Sequence, residues 1–351
     1  TCATVITVED NVDPIAVCQN ITVQLDNNGN ASITANQIND ASSDACGIAS
    51  LAINSTTFTC ANINSNTVIL TVTDVNGNSS TCSAIVTIQD TVPPIATCQN
   101  ITVQLNNTGT GSTTAAAVNN GSSDACGIQS LSLSQTTFVC AEVGANTEVL
   151  TVTDVNGNST TCTTVITVED NVAPVAICQN ITVQLDITGN ANIAASQVDN
   201  GSSDACGIAS LALNVTTFSC NNVNANTVIL TVTDVNGNSS TCASTVTVLD
   251  TVRPVPNCQN VTVFLNNTGT GATTASAVNN GSTDNCTIAS MVLSQTSFVC
   301  AEVGANTEIL TVTDVNGNSA TCSTIVTVLD TVRPIATCQN ITVQLNNTGT
   351  G

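Results

Sequence analysis

The side chains best equipped for chemistry are carboxylates and cysteines that return at a fixed interval. Asp10, Asp90, Asp170 and Asp250 stand 80 residues apart; so do Asp44, Asp124, Asp204 and Asp284, and so do Asp74, Asp154, Asp234 and Asp314. The last set opens an Asp-Val-Asn-Gly-Asn loop. Asn76 and Asn78, Asn156 and Asn158, Asn236 and Asn238, and Asn316 and Asn318 therefore offer amide oxygens beside a carboxylate. Hard oxygen donors in such number suit Ca²⁺, whereas Mg²⁺ prefers to keep its waters. The 351 residues include two Arg, no Lys and no His, so almost no side-chain cation is available to neutralise the acids. These Asp and Asn residues are the candidate calcium ligands. The loop is not an EF-hand, because its Gly is fourth instead of sixth and no Glu stands at position twelve. The plainer alternative is that Asp and Asn-Gly only shape turns here.

The same composition removes most enzyme chemistry. Without His or Lys there is no Ser-His-Asp triad, no Cys-His pair and no Schiff-base lysine. Paired carboxylates could in principle cleave glycosides, but no acid sits in an aromatic or apolar setting that would raise its pKa. The sequence is read as non-catalytic. A formal charge of −22 with no Trp or Tyr also argues against nucleic acid, which needs basic grooves and stacking platforms. No apolar run is long enough to span a bilayer, so no membrane insertion is expected of this segment.

The interval is the organising fact. Cys-Gln-Asn occurs at Cys18, Cys98, Cys178, Cys258 and Cys338, the signature of a tandem array. Proline-containing connectors (Asp-Asn-Val-Asp-Pro, Asp-Thr-Val-Pro-Pro and their equivalents) divide it. This gives 1–10 as the last strand of a preceding repeat, complete repeats over 11–90, 91–170, 171–250 and 251–330, and 331–351 as the start of a further one. Within the first repeat, Ile21 to Leu25 alternates and Asn28-Gly29 turns. Ala31 to Ile33 reads as a short strand, Thr34 caps a single helical turn, and Ile48 to Ile53 and Phe58 to Cys60 read as strands. A final hairpin turns at Asn76-Gly77. About seven short strands in 80 residues predict an all-β fold, a tandem array of immunoglobulin-like β-sandwich domains.

The pattern from Asp90 through Pro94 to Cys98, then Asp124-Ala-Cys126, then Asp154-Val-Asn-Gly157-Asn158 and Cys162 resembles the hyalin-repeat (HYR) type of immunoglobulin-like module. The wording CQNITVQL, GSSDACGI and TVTDVNGN is similar to that of very large repetitive surface adhesins of gliding Bacteroidetes. The resemblance implies an extracellular, cell-surface protein serving as a stalk or in cell adhesion. It departs from the family where Cys-Gln replaces Cys-Pro after the connector, and where Ala84 and its equivalents replace an aromatic residue.

The 18 cysteines imply disulfides and an oxidising compartment. Each repeat has four, which allows three connectivities. In a sandwich the first and last strands run side by side, which favours Cys18–Cys82, Cys98–Cys162, Cys178–Cys242 and Cys258–Cys322. The cysteines flanking what reads as an inner hairpin would then pair as Cys46–Cys60, Cys126–Cys140, Cys206–Cys220 and Cys286–Cys300. A rival scheme joins Cys2 to Cys18 and Cys82 to Cys98 across the boundaries, but requires the last strand of one repeat to fold back on the next. Zinc is disfavoured, since no CxxC occurs.

Two functions fit these features. The repeats form a structural segment of an extracellular filament or adhesin stalk, stiffened by disulfides and by calcium at domain junctions. Alternatively, the repeats themselves bind polysaccharide or another surface, although aromatic anchors are absent. Expected partners are neighbouring repeats of the same long chain, together with lateral self-association.

Overall fold

A computed structural model describes residues 2–351. The chain divides into two compact units, Thr1–Val172 and Ala173–Gly351, and each contains two β-sandwich repeats built alike. In the first repeat, β1 (Ile21–Gln24), β2 (Asn30–Ser32), a helical turn (Ala35–Ile38), β3 (Ile48–Ile53), β4 (Thr57–Thr59), β5 (Asn64–Asp74) and β6 (Ser79–Gln89) follow in order. The same elements recur in the other three repeats, and each repeat has six strands where the sequence reads as about seven.

The topology follows from where the long hairpin lies. β5 and β6 pair antiparallel from Asn64↔Ile88 to Thr73↔Ser79, around the Asn76-Gly77 turn in which Gly77 takes φ 98°. β3 adds antiparallel to β5, and β1 adds parallel to β6 with Ile21 opposite Val86. The result is a mixed sheet in the order β1-β6-β5-β3, faced by a second sheet of β2 and β4. Parallel placement of β1 beside β6 sets Cys18 against Cys82, and the two are bonded with their Cα atoms 5.8 Å apart. Asn20 locks this edge, its Oδ1 accepting the Ile85 N–H at 2.7 Å.

Alternation along the strands builds the core. Val68, Leu70 and Val72 from β5 and Ala84, Val86 and Ile88 from β6 point inward against Phe58 of β4, with Leu25, Ile33 and Ile38 closing the ends. Small aliphatic side chains bury little area each. One Phe per repeat (Phe58, Phe138, Phe218, Phe298) fills the centre, and a disulfide closing a 64-residue separation supplements it. Such a loop is worth about 4 kcal/mol on the chain-entropy account. The proline segments are integral to the domains: Pro14 is buried, and its carbonyl accepts the Ser80 hydroxyl.

Residues 2–10 and 331–351 contain no strand. The segment read as a last strand would need a β5 equivalent, and the segment read as a first strand would need a β6 equivalent, to complete their ladders. No helix among the described residues is long and apolar enough to cross a membrane.

Candidate metal centre and the repeat junction

Three loops meet at the entry pole of the first, second and fourth repeats. They are the connector carrying Asp10 or its equivalent, the loop before β3 carrying Asp44, and the β5–β6 turn carrying Asp74. The turn is self-organised. Asp74 Oδ1 accepts the Asn76 and Asn78 N–H groups at 2.9 and 2.8 Å, and Oδ2 accepts the Asn78 amide at 2.8 Å. The same amide donates to the Asp10 carbonyl at 3.0 Å and so ties turn to connector. Burial resists ionisation of Asp74, but the Asn78 side chain and the N–H groups of Asn76, Asn78 and Gly77 outweigh it and hold the carboxyl below its ordinary value. Asp154, Asp234 and Asp314 are fixed in the same way.

In the fourth repeat the three carboxylates converge: oxygens of Asp250, Asp284 and Asp314 all lie within 4.8 Å of one another. Asp250 is 7% exposed and Asp314 2%. Asp250 Oδ1 accepts the Val252 N–H and the Asn285 amide, each at 3.1 Å. Asp284 Oδ2 accepts the Cys286 and Thr287 N–H groups at 2.9 and 3.2 Å. The remaining oxygens, Asp250 Oδ2 and Asp284 Oδ1, are buried and receive no hydrogen bond. Buried polar atoms are rarely left so, and a carboxylate accepts only from donors or cations. A hard cation fits this donor set.

The second repeat presents Asp90, Asp124 and Cys126 in the same place, with Asp90 Oδ2 again buried and without a donor. The first presents Asp10, Asp44 and Cys46. There the Cys46 thiol hydrogen-bonds Asp10 and faces the Asp10, Asp44 and Asp74 charges, which with burial push its pKa up. Asp170 Oδ1 accepts the Val172 N–H at 3.1 Å, and Asp204 Oδ1 the Cys206 N–H at 2.7 Å, the local bonds seen at the other copies. Asn78 and its equivalents Asn158, Asn238 and Asn318 turn their amide nitrogens to the hairpin carboxylate. Asn76, Asn156, Asn236 and Asn316 have exposed side chains and give the carboxylate a main-chain N–H.

The cysteines correct one sequence expectation. Cys18–Cys82, Cys98–Cys162, Cys178–Cys242 and Cys258–Cys322 are bonded within repeats. The second set is bonded across repeats: Cys60 with Cys126, Cα atoms 5.3 Å apart, and Cys220 with Cys286, 5.4 Å apart. Cys140 and Cys206 are also oxidised. Cys2, Cys46, Cys300 and Cys338 are free. The expected Cys46–Cys60, Cys126–Cys140, Cys206–Cys220 and Cys286–Cys300 pairs do not form, because β3 and β4 are not a hairpin. β3 lies in the four-stranded sheet and runs from the entry pole to the far pole. The chain then crosses to the second sheet, where β4 pairs with β2. Cys60 thus ends beside the β1–β2 turn, its Sγ 3.8 Å from the Gly29 carbonyl. Gly29 takes φ 72°, and a Cβ there would lie 2.6 Å from the Cys60 sulfur, so the turn seats directly on the disulfide.

The staple and the acidic cluster therefore share one junction. Cys126 bonds back to Cys60 while its sulfur lies within 4.8 Å of Asp90 and Asp124 oxygens. In the second unit, the Asn285 amide links the Asp186 carbonyl of one repeat to Asp250 of the connector, 3.1 Å each.

No protein-family model matches the chain, and no curated protein does. Among solved structures it is similar to the extracellular domain of protocadherin gamma-B4, at 14% identity and TM-score 0.31 over 91% of this chain and 67% of that one. It is also similar to protocadherin gamma-B2 extracellular cadherin domains 1–5, at 13% identity and TM-score 0.30, covering 93% and 82%. Drosophila N-cadherin EC1-4 matches at 10% identity and TM-score 0.28, covering 89% and 99%. The fold assignment rests on the chain's own strand order.

Proposed function

We propose that this chain is a structural segment of an extracellular, cell-surface filament or adhesin stalk of the HYR-like type, and that its junctions are locked twice, by a disulfide and by Ca²⁺. The observation that carries the reading is the disulfide from Cys60 to Cys126 beside the Asp90 and Asp124 carboxylates. A spacer must hold each repeat in a fixed relation to the next, and this disulfide adds a second covalent link beside the peptide connector. Disulfides persist in oxidising surroundings, which supports the extracellular assignment. Lys–Asn isopeptide crosslinks cannot serve here, since the sequence has no Lys. At the fourth repeat, Asp250, Asp284 and Asp314 would hold the ion, with Asp250 Oδ2 and Asp284 Oδ1 free to face it.

Calorimetry in Ca²⁺ and in chelator tests this. A cation bound only by the folded chain at 100 times its Kd adds about 2.7 kcal/mol, so the melting temperature rises with Ca²⁺. Replacing Asp250 by Asn should remove most of the rise assigned to that junction. A melting temperature indifferent to Ca²⁺ would contradict the cation. Binding of cells or glycans by the repeats alone would favour the adhesive reading instead.

A further inference from the structure

We propose that Asn285 is a fourth oxygen ligand of the cation at the junction of the third and fourth repeats, and that it makes this junction a tighter Ca²⁺ site than its counterpart between the first and second. The inference rests on the reading that Asp250, Asp284 and Asp314 hold a cation. It goes beyond that reading by naming a ligand that does not recur with the interval. The equivalent positions are Ala45, Ala125 and Ala205, which have no side-chain oxygen.

The side chain is oriented by what surrounds its nitrogen. Asn285 Nδ2 donates to the Asp186 carbonyl and to Asp250 Oδ1, 3.1 Å each. Turning the amide over would set its oxygen against two acceptors, so the nitrogen takes that side and Oδ1 the other. Oδ1 is buried and receives no hydrogen bond. The main chain is held as firmly. Cys286 is bonded to Cys220, and the Asn285 carbonyl lies 3.5 Å from the Cys220 sulfur. Gly189 of the preceding repeat, at φ 78°, passes so near that a Cβ on it would lie 2.8 Å from the same carbonyl. Asn285 is thus clamped between two repeats before any ion arrives, which is the preorganisation a ligand needs.

Three buried oxygens at this pole therefore lack a donor: Asp250 Oδ2, Asp284 Oδ1 and Asn285 Oδ1. Asp250 is 7% exposed, so water does little to satisfy it. At the same pole of the second repeat, among the described residues, Asp90 Oδ2 alone is left so, and the third member of that group is the Cys126 sulfur, already in a disulfide. Ca²⁺ takes roughly six to eight oxygen ligands, and its affinity follows their number and the rigidity of the site. A neutral amide oxygen adds a ligand without adding to the repulsion among three carboxylates. An ion on Oδ1 also polarises the amide and strengthens the bond from Nδ2 to the Asp186 carbonyl, so occupancy tightens the contact between the two repeats.

Equilibrium dialysis of Ca²⁺ against the full oxidised chain tests this. Expected is a tight ion that is lost with Asp250→Asn and kept with Asp90→Asn. Asn285→Ala, which installs the residue of the other repeats, should weaken that ion by roughly tenfold or more. Asn285→Asp keeps an oxygen in place and should bind at least as tightly as Asn285. Asn285→Ala/Thr287→Asp puts the same charge on a neighbouring exposed residue and should stay weak. Peptide mapping of the Cys220–Cys286 bond in each variant shows that the loop is intact. No bound Ca²⁺ in any chain would contradict the cation itself. A tight ion that Asp250→Asn abolishes but Asn285→Ala leaves unchanged, or an Asn285→Asp chain as weak as Asn285→Ala, would overturn the role of Asn285 alone. Loss of the tight ion with Asp90→Asn instead of Asp250→Asn would overturn the ranking of the two junctions.

Discussion

Cys60, at the far pole of the first repeat, is covalently joined to Cys126, at the entry pole of the second, across a sequence separation of 66. Together with Cys18–Cys82 inside the repeat and Cys98–Cys162 in the next, this makes the joint part of a covalent ladder.

Cutting the connector should therefore not separate the repeats. With a protease site inserted at Thr91–Val92, cleaved protein should run as one band on a denaturing, non-reducing gel and as two after reduction. A Cys60→Ser/Cys126→Ser variant should give two bands without reductant. The same variant should lose about 4 kcal/mol of stability, the value of closing a loop of this size, read from denaturant unfolding of the 1–172 unit.

Acid should weaken the hairpin turns. The carboxyl of Asp74 is held below its ordinary value of 3.8, so its contribution is fully present above that pH and is lost as the pH falls through the lower folded value. Asp186, Asp199, Glu142 and Glu302 are shifted the same way. The melting temperature should be flat near neutrality and fall below about pH 4. Asp74→Asn should lower it at pH 7 and flatten part of the acid limb, because its carboxylate no longer accepts from the Asn78 amide.

Much of this architecture is legible in the sequence, because it depends on local patterns. Alternation over Ile21 to Leu25, the Asn76-Gly77 turn and the two β-rich runs around it yield β1, β5 and β6, and their sandwich arrangement places Cys18 by Cys82. Cys46 and Cys60 are different. The short loop after Ile53 is as compatible with a hairpin as with a crossover between sheets, so local spacing does not say which pole Cys60 reaches. Pairing of β4 with β2, a long-range contact between Phe58 and Ala31, decides it. The recurrence of Asp at the three loops is legible from its 80-residue interval. The exposure of the Asn76 side chain is not legible in this way, since the main-chain course of the turn sets which group faces the carboxylate.

Repeats two and four carry a polar variant of the core that tests side-chain coupling. Ser134 donates its hydroxyl to the buried Glu148 and accepts the Val149 N–H at 2.8 Å. In the first repeat Asn54 accepts the equivalent Ile69 N–H at 2.9 Å, and Val68 replaces the acid. Glu148→Val and Ser134→Asn should each destabilise the second repeat less when combined than their sum, with a coupling of about 1 kcal/mol. Strict additivity in a double-mutant cycle would show that the pair is not a unit.

Pulling a single oxidised chain from its ends tests the load-bearing account most directly. Within each repeat the force passes through the Cys18–Cys82 bond, which shields the 64-residue stretch it closes and leaves the 16-residue step from Cys82 to Cys98 to extend. At roughly 3.5 Å per residue, the oxidised chain should lengthen by no more than about 55 Å per repeat. In reductant, unfolding should release about 220 Å more per repeat. Oxidised chains that release lengths near 200 Å in repeated steps would contradict the account, since load would then be unravelling the repeats it assigns to carry it.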